Sequence, residues 1–351
     1  MDFRFTEEQE MMANVLRELL GDLCQSSDLR RLMESGQARD ERRWSGIVDM
    51  GLAGALVPES YGGLGLKPVD FVRIAEAAGH ACLPEPLVEN AGVALPLLAE
   101  AAPGNELLAA ALEGAATIAV SHPSNAFIAD ADSAGALLLE REGELHLVNP
   151  AQARLERQES VDPFRRLFTV AFEPGSSTRI ASAADAAPML RAAFDRGALF
   201  AAAQLIGIAQ RSVDLAVAYA GERRQFGKPI GSYQAVKHRL ASAQVKIEFA
   251  KPVVHAAAAS LPQSDLYSAA RVSHAKLAAG QAADDAVRAA IQVHGAMGYS
   301  WEVDVHFYLK RAIALDSWWG TKAFHRARVG QRVFTGRLGP EHTFAKESQN
   351  A

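Results

Sequence analysis

The hydrophobic period of this 351-residue chain changes twice along its length, and that change restricts the possible folds more than any other feature. From Thr6 to about Glu113 the chain reads as helices, with Met12, Val15, Leu16 and Leu19 repeating on one stripe. Thr6 fits an N-cap, and Glu8 and Gln9 fit the acidic first turn behind it. The turn Val57–Gly65, with three glycines and a proline, interrupts this zone, since no helix follows such a path. Between about 114 and 180 the period changes. Residues 117–120, 136–140, 144–148 and 167–172 are short apolar runs, β-branched or aromatic, separated by turn residues. They predict a small antiparallel sheet or barrel, with Arg141-Glu142-Gly143 as a hairpin turn.

From about 184 to 337 helical spacing returns in alanine-rich segments. One helix is expected over about Ala187–Gln225, where Leu199, Ile206 and Val213 are seven apart with Ala202, Ala209 and Ala216 between them, a narrow bundle seam. Others are expected over Ser232 to about Ser260, kinked or irregular at Pro252, over about Asp265–Val293, and over about Val303–Phe334. The expected fold is mostly α with a small β middle domain. Its parts are a helical domain over 1–113, a reduced β domain over 114–183, a four-helix bundle over 184–340 and a tail over 341–351.

Composition removes several function classes. Apolar residues make up 49% and charged residues 22%, as in a globular protein. A formal charge of −5 offers no basic footprint for nucleic acid or a membrane surface. The acidic N-terminus does not resemble a signal peptide, and the most apolar run, Ala198–Ala209, is too short to span a bilayer and holds Gln204. Two distant cysteines, Cys24 and Cys82, form neither a disulfide framework nor a chelating pair, so a cytoplasmic setting and no metal are expected.

Four segments carry a resemblance to the acyl-CoA dehydrogenase family. Val57–Leu66 is similar to its V-P-E-x-Y-G-G-L-G turn, which marks the family without carrying chemistry. Glu222–Ile230 (Glu-Arg-Arg-Gln-Phe-Gly-Lys-Pro-Ile) reads as a helix end, with basic residues in the last turn, Gly227 as a left-handed cap and Pro229 beyond it. Gln292–Tyr299, continuing as Trp301-Glu302, resembles the family's Q-x-x-G-G-x-G-[YF] loop, with Ala296 in place of one glycine. Arg311–Thr321 matches the stretch that ends in Y-E-G-T in many members. The resemblance spans nearly the whole chain. It implies an N-terminal helical domain, a β-barrel-like domain and a C-terminal four-helix bundle. It also implies FAD as cofactor, an acyl-CoA thioester as substrate and electron-transfer flavoprotein as electron acceptor. Arg223, Gln225 and Phe226, with Gln292 and Gly295, match positions that reach the FAD of a neighbouring subunit. There the planar fork of an arginine suits pyrophosphate oxygens. A lone His294 reads as a packing residue.

The chain departs from the family where the chemistry lies. The family's reaction removes a Cα proton with a carboxylate while hydride leaves Cβ for the flavin. The Y-E-G-T glutamate falls on Trp319, and the alternative glutamate on the first bundle helix falls on Gly197. The basic residue that accompanies the usual glutamate falls on Ala198. Asp195 and Asp316 are nearby in sequence, but both read as solvated surface carboxylates. The flavin-face strands T-E-P-x-x-G-S-D and W-I-T-N have no counterpart, and Ser121-His122-Pro123-Ser124 stands where the first belongs. Together these losses resemble the short, non-catalytic companion in hetero-oligomeric dehydrogenases of bacterial steroid degradation, which completes the FAD site of a homologous catalytic subunit in an α2β2 complex. Two alternatives are a self-sufficient homo-oligomer with a non-standard base, Asp316 or Asp195, and a helical scaffold without flavin.

Overall fold

The computed structural model describes residues 4–263 and 265–335, so the expected tail over 341–351 and the last residues of the bundle lie outside the described residues. The protein is 64% helical, with its strands confined to the middle of the chain apart from one short hairpin. Helix α1 (Glu7–Leu23) starts as the sequence indicates: Thr6 Oγ1 accepts from Gln9 N–H, and Gln9 returns a bond to Thr6 N–H. α2 (Ser26–Ser35) and α3 (Glu41–Asp49) follow, and after the glycine turn comes α4 (Pro68–His80). Next, α5 (Leu87–Glu89) runs through a π-helical turn at Asn90–Ala94 into α6 (Leu95–Ala101), and α7 (Glu106–Leu112) closes the region.

The middle region holds two small sheets. β1 (Ile118–Val120), β3 (Ala136–Arg141), β4 (Glu144–Val148) and β7 (Arg179–Ala181) form one, in the order β1-β3-β4-β7. β2 (Ile128–Ala129), β5 (Arg154–Gln158) and β6 (Leu167–Ala171) form the other, in the order β2-β6-β5. Ala119, Ile128, Leu137, Leu139, Val148 and Phe168 share one core between them. The expected hairpin turn is present, with Glu142 and Gly143 both at positive φ between β3 and β4. Sequence spacing missed β2, β5 and β7, and the sheets are not wholly antiparallel. β1 pairs with β3 in parallel because the chain makes the β2 excursion before returning.

The bundle begins with α8 (Ala183–Glu222), a 40-residue helix whose N-cap Ser182 accepts from Asp185 N–H. It is long and apolar enough to cross a membrane, but 89% of that apolar window is buried inside the protein. A hairpin of β8 (Arg224–Gln225) and β9 (Lys228–Pro229) leads to α9 (Gln234–Ser260) and α10 (Leu266–His294). α9 passes Pro252 without interruption; that proline and Glu248, whose carbonyl it frees, both face water. The expected fourth helix is two: α11 (Val305–Ser317) and α12 (Lys322–Thr335) are separated by a reversal at Trp318–Thr321. One continuous core joins the N-terminal helices to the bundle. Two buried ion pairs support this packing: Arg43 with Glu85 at 2.5 Å within the N-terminal helices, and Arg311 of α11 with Asp162, which joins the bundle to the middle region.

Candidate functional site

The reversal between α11 and α12 packs on α8, and this contact is the centre of the candidate site. Trp319 is left-handed at φ +56°, a conformation that costs a bulky residue about 1–3 kcal/mol. Fixed partners hold it there. Its N–H donates to Asn125 Oδ1 at 2.7 Å, its carbonyl lies 2.9 Å from His325 Nε2, and its indole N–H donates to Glu89 Oε2 at 3.1 Å. The ring lies on the α8 backbone. A Cβ on Gly197 would stand 2.3 Å from Trp319 Cδ2 and 2.4 Å from Cε2, so only glycine fits.

Around this contact the acidic and imidazole groups are bound or held toward their neutral forms, while Asn125 Nδ2 and Arg165 Nη2 are buried without a hydrogen-bond partner. Glu89 also accepts from the Trp318 indole at 2.9 Å, and Arg165 lies 4.0 Å away, with its guanidinium 4.3 Å from the Trp318 ring centroid. Burial raises the Glu89 pKa, against the opposing pull of Arg165 and the two indoles. His122 sits 5.4 Å from both Phe194 and Trp319, and burial lowers its pKa to about 4. Burial pushes Asp130 up to about 7. The crevices lined by Glu89 and Asp130 hold about 10 and 30 Å³, room for a water molecule or two. A general base needs open approach to the carbon acid it deprotonates. Glu89 is capped by two indoles instead.

Neither aspartate singled out in the sequence is free. Asp195 is buried rather than solvated, and Arg328 Nη1 donates to it at 2.6 Å. Asp316 is partly exposed and pairs with Lys322 at 3.0 Å, while the buried Lys276 donates to the Asp316 carbonyl at 2.9 Å.

The other group of candidate residues gathers at the far end of α8. Helix α8 stops at Glu222, so Arg223–Ile230 is a hairpin rather than a helix cap, and Phe226-Gly227 is its two-residue turn with both φ positive, +52° and +83°. Phenylalanine is a poor residue for that position, and its ring is 93% exposed. Arg223, Arg224 and Gln225 are exposed, and neither arginine has an ion-pair partner among the described residues. Ile230 and the ends of α8 and α10 share a small core. That core brings the hairpin to the same end of the bundle as exposed Gln292 and Gly295. Gly295 adopts φ +62°, ψ −137°, a region open essentially to glycine alone, so its backbone lies bare. His294 is buried, with its ring stacked 4.3 Å from Tyr219.

Two family models match this architecture: "Acyl-CoA dehydrogenase, N-terminal domain" over residues 6–104 and "Acyl-CoA dehydrogenase, C-terminal domain" over residues 187–334. The chain is 32% identical over 308 residues to the acyl-CoA dehydrogenase IpdE2 of Mycolicibacterium smegmatis, covering 88% of this chain and 93% of that one. The chain belongs to the acyl-CoA dehydrogenase family. Its fold is that of the ChsE4-ChsE5 complex from Mycobacterium tuberculosis, with a TM-score of 0.84 at 20% identity, over 96% of this chain and 100% of that one. It is likewise that of the Tcur3481-Tcur3483 steroid acyl-CoA dehydrogenase G363A variant, with a TM-score of 0.79 at 22% identity, over 93% and 97%.

Acyl-CoA dehydrogenases are FAD-dependent oxidoreductases acting on CH–CH bonds. The donors at the hairpin end suit the pyrophosphate of such a cofactor: unpaired guanidiniums, an exposed amide and a bare glycine backbone. The Trp319 end does not suit its ring system, since the crevices there are water-sized. Trp319 and Gly197, the residues that the sequence resemblance matches to the family's two base positions, meet face to face. Glu89, which accepts from the indole, His122, whose ring packs beside it, and Asn125, which accepts from the Trp319 backbone N–H, were not legible in the sequence. Their partners lie on separate segments, and only the oddity of Ser121–Ser124 pointed toward them.

Proposed function

We propose that this chain is the non-catalytic companion of a hetero-oligomeric acyl-CoA dehydrogenase, completing an FAD site held mainly by a homologous catalytic subunit. The Trp319 indole seated on Gly197 carries this reading. It fills the space where either family glutamate would stand, and the nearby carboxylates Glu89, Asp195 and Asp316 are each bound by other groups. The chemistry that FAD would supply when bound is hydride acceptance in the α,β-desaturation of an acyl-CoA thioester. This chain's contribution is binding. Arg223 would pair with pyrophosphate oxygens, Gln225 and Gln292 would hydrogen-bond the dinucleotide, Phe226 would cover it, and Gly295 would admit close backbone approach. Two solved structures of the same fold are named as two-component assemblies, and one of them is a steroid acyl-CoA dehydrogenase, which supports pairing and a steroid-derived or lipid acyl group. Electron-transfer flavoprotein is the assigned acceptor of the complex, in the cytoplasm.

Co-expression with a homologous catalytic chain, followed by flavin counting, tests the assignment. One FAD per pair of chains is expected, with FAD retention lowered by Arg223→Ala. A yellow protein from this chain expressed alone, bleached by an acyl-CoA, would overturn it. The self-sufficient reading would need Asp195 or Asp316 to leave its cation. A flavin-free scaffold leaves the strained, exposed Phe226 without a use.

A further inference from the structure

Helix α9 carries two seams, and the bundle uses one of them. Leu240, Ala243, Ile247, Ala250, Val254 and Ala257, alternately three and four apart, are all buried. His238, Ser242, Val245, Phe249, Pro252 and Ala256 repeat with the same alternation on the other side of the helix. Five of these six are exposed, Val245 by 52% and Phe249 by 74%, and Ala256 is half-buried. The neighbouring helices lie to either side of this outer stripe. Gln244 and Lys251 reach Gln210 of α8 at 3.0 and 3.2 Å, and Lys246 reaches Asp285 of α10 at 2.5 Å.

An exposed stripe at this spacing, with valine and phenylalanine at its centre, is the pattern of a seam between helices. The charge beside it says what kind of helix fits. α9 holds three lysines and one arginine against a single glutamate, Glu248, which Lys251 engages at 2.7 Å. Arg239 and Lys246 each follow a seam residue directly, the place from which charges reach across to a packed helix. Both line a groove of about 390 Å³ between α9 and α10, and Arg239 has no ion-pair partner among the described residues. A second α9 packed antiparallel would set these cations against each other, and packed parallel would set them against Gln234 and Ala241. A helix flanked by Asp or Glu pairs with them instead. The seam also begins beside Val236, which shares a small core with Ile230 of the hairpin. A subunit that holds FAD against Arg223 and Phe226 therefore adjoins it.

We propose that the outer stripe of α9 packs against a helix of the homologous catalytic subunit, one with an apolar stripe of the same spacing flanked by Asp or Glu. The identity of that subunit rests on the companion-chain reading, whereas the seam residues are separate from the flavin contacts.

The test co-expresses the full chain with a homologous acyl-CoA dehydrogenase chain that keeps the family glutamate, and reads heteromer content and affinity by light scattering and analytical ultracentrifugation. Val245→Glu with Phe249→Glu should weaken the heteromer about a hundredfold or more, while the free chain keeps its circular dichroism and melting temperature because both positions are exposed. Arg239→Glu should weaken it about tenfold and reduce its sensitivity to salt. Arg223→Ala, by contrast, should lower FAD retention and leave the heteromer assembled. Hydroxyl-radical labelling of the unaltered proteins decides the matter if the double variant does not fold, since Phe249 should lose most of its labelling when the partner is present. Undiminished assembly by the double variant, or equal labelling of Phe249 with and without the partner, would overturn the seam and leave the companion-chain reading standing. A homomer, rather than a heteromer, lost in the double variant would overturn the choice of partner. No heteromer with the unaltered chain would overturn both.

Discussion

Gly197→Ala, in the presence and absence of Trp319, is the most direct probe of the central contact. The added methyl carbon would stand 2.3–2.8 Å from three ring atoms of Trp319. The ring cannot retreat easily: it is 1% exposed and anchored through Glu89, with Asn125 and His325 holding its backbone. Overpacking of this kind costs about 1–3 kcal/mol. In the opposite direction, glycine to alanine inside a helix is favourable by about 1 kcal/mol when nothing clashes. Trp319→Ala alone removes a buried indole and costs about 3–5 kcal/mol. In that background the space above Gly197 is open, so Gly197→Ala changes from harmful to helpful. The two effects therefore couple by about 1–3 kcal/mol, the clash alone, because the helix-propensity gain is the same in both backgrounds and cancels. Denaturant unfolding of the four proteins, at one protein concentration and with the same partner content, measures that coupling. A Gly197→Ala effect that is equal with and without Trp319 would refute the claim that the indole occupies this space.

Three further outcomes follow from individual contacts. Phe226→Asn replaces a strained left-handed residue with one that tolerates the conformation, so the chain should gain about 1 kcal/mol in thermal unfolding while the purified complex retains less FAD. Arg311→Met strands the buried Asp162 carboxylate and should cost about 3–5 kcal/mol in urea unfolding, most of it recovered when Asp162→Leu is added. Burial holds His122 and His325 at pKa values of about 4 against 6.5, so between those values the unfolded chain takes up protons that the folded chain refuses. Their contribution is complete above pH 6.5 and is lost as pH falls toward 4, and His122→Asn should flatten the stability curve across that window.

The parts of the fold legible in the sequence were those with a strong local signal. The apolar stripes of the long helices and the Glu142-Gly143 turn needed no distant partner to be recognised. β5 was missed because Arg154-Leu155-Glu156-Arg157-Gln158 has almost no apolar content and is a strand only through its pairing with β6. Phe226-Gly227 was misread because a glycine and proline behind basic residues fit a helix cap as well as a hairpin. The break at Trp318–Thr321 was hidden because apolar residues continue across it at helical spacing. Asp195 reads as a surface carboxylate until Arg328, 133 residues later, is placed beside it.

The same dependence on distant partners changes the weight of the departures at the base positions. In the sequence Trp319 and Gly197 look like two separate losses that agree with each other. In the fold they are one packing event, because the indole excludes every residue but glycine at 197, and an open 197 without the indole would leave a void beside Glu89. Their agreement therefore counts once. Independent support for a chain that serves another subunit's cofactor has to come from elsewhere in the molecule. It comes from the opposite end of α8, where a strained phenylalanine and two unpaired arginines are held in the open by a hairpin that packing against Trp319 does not require.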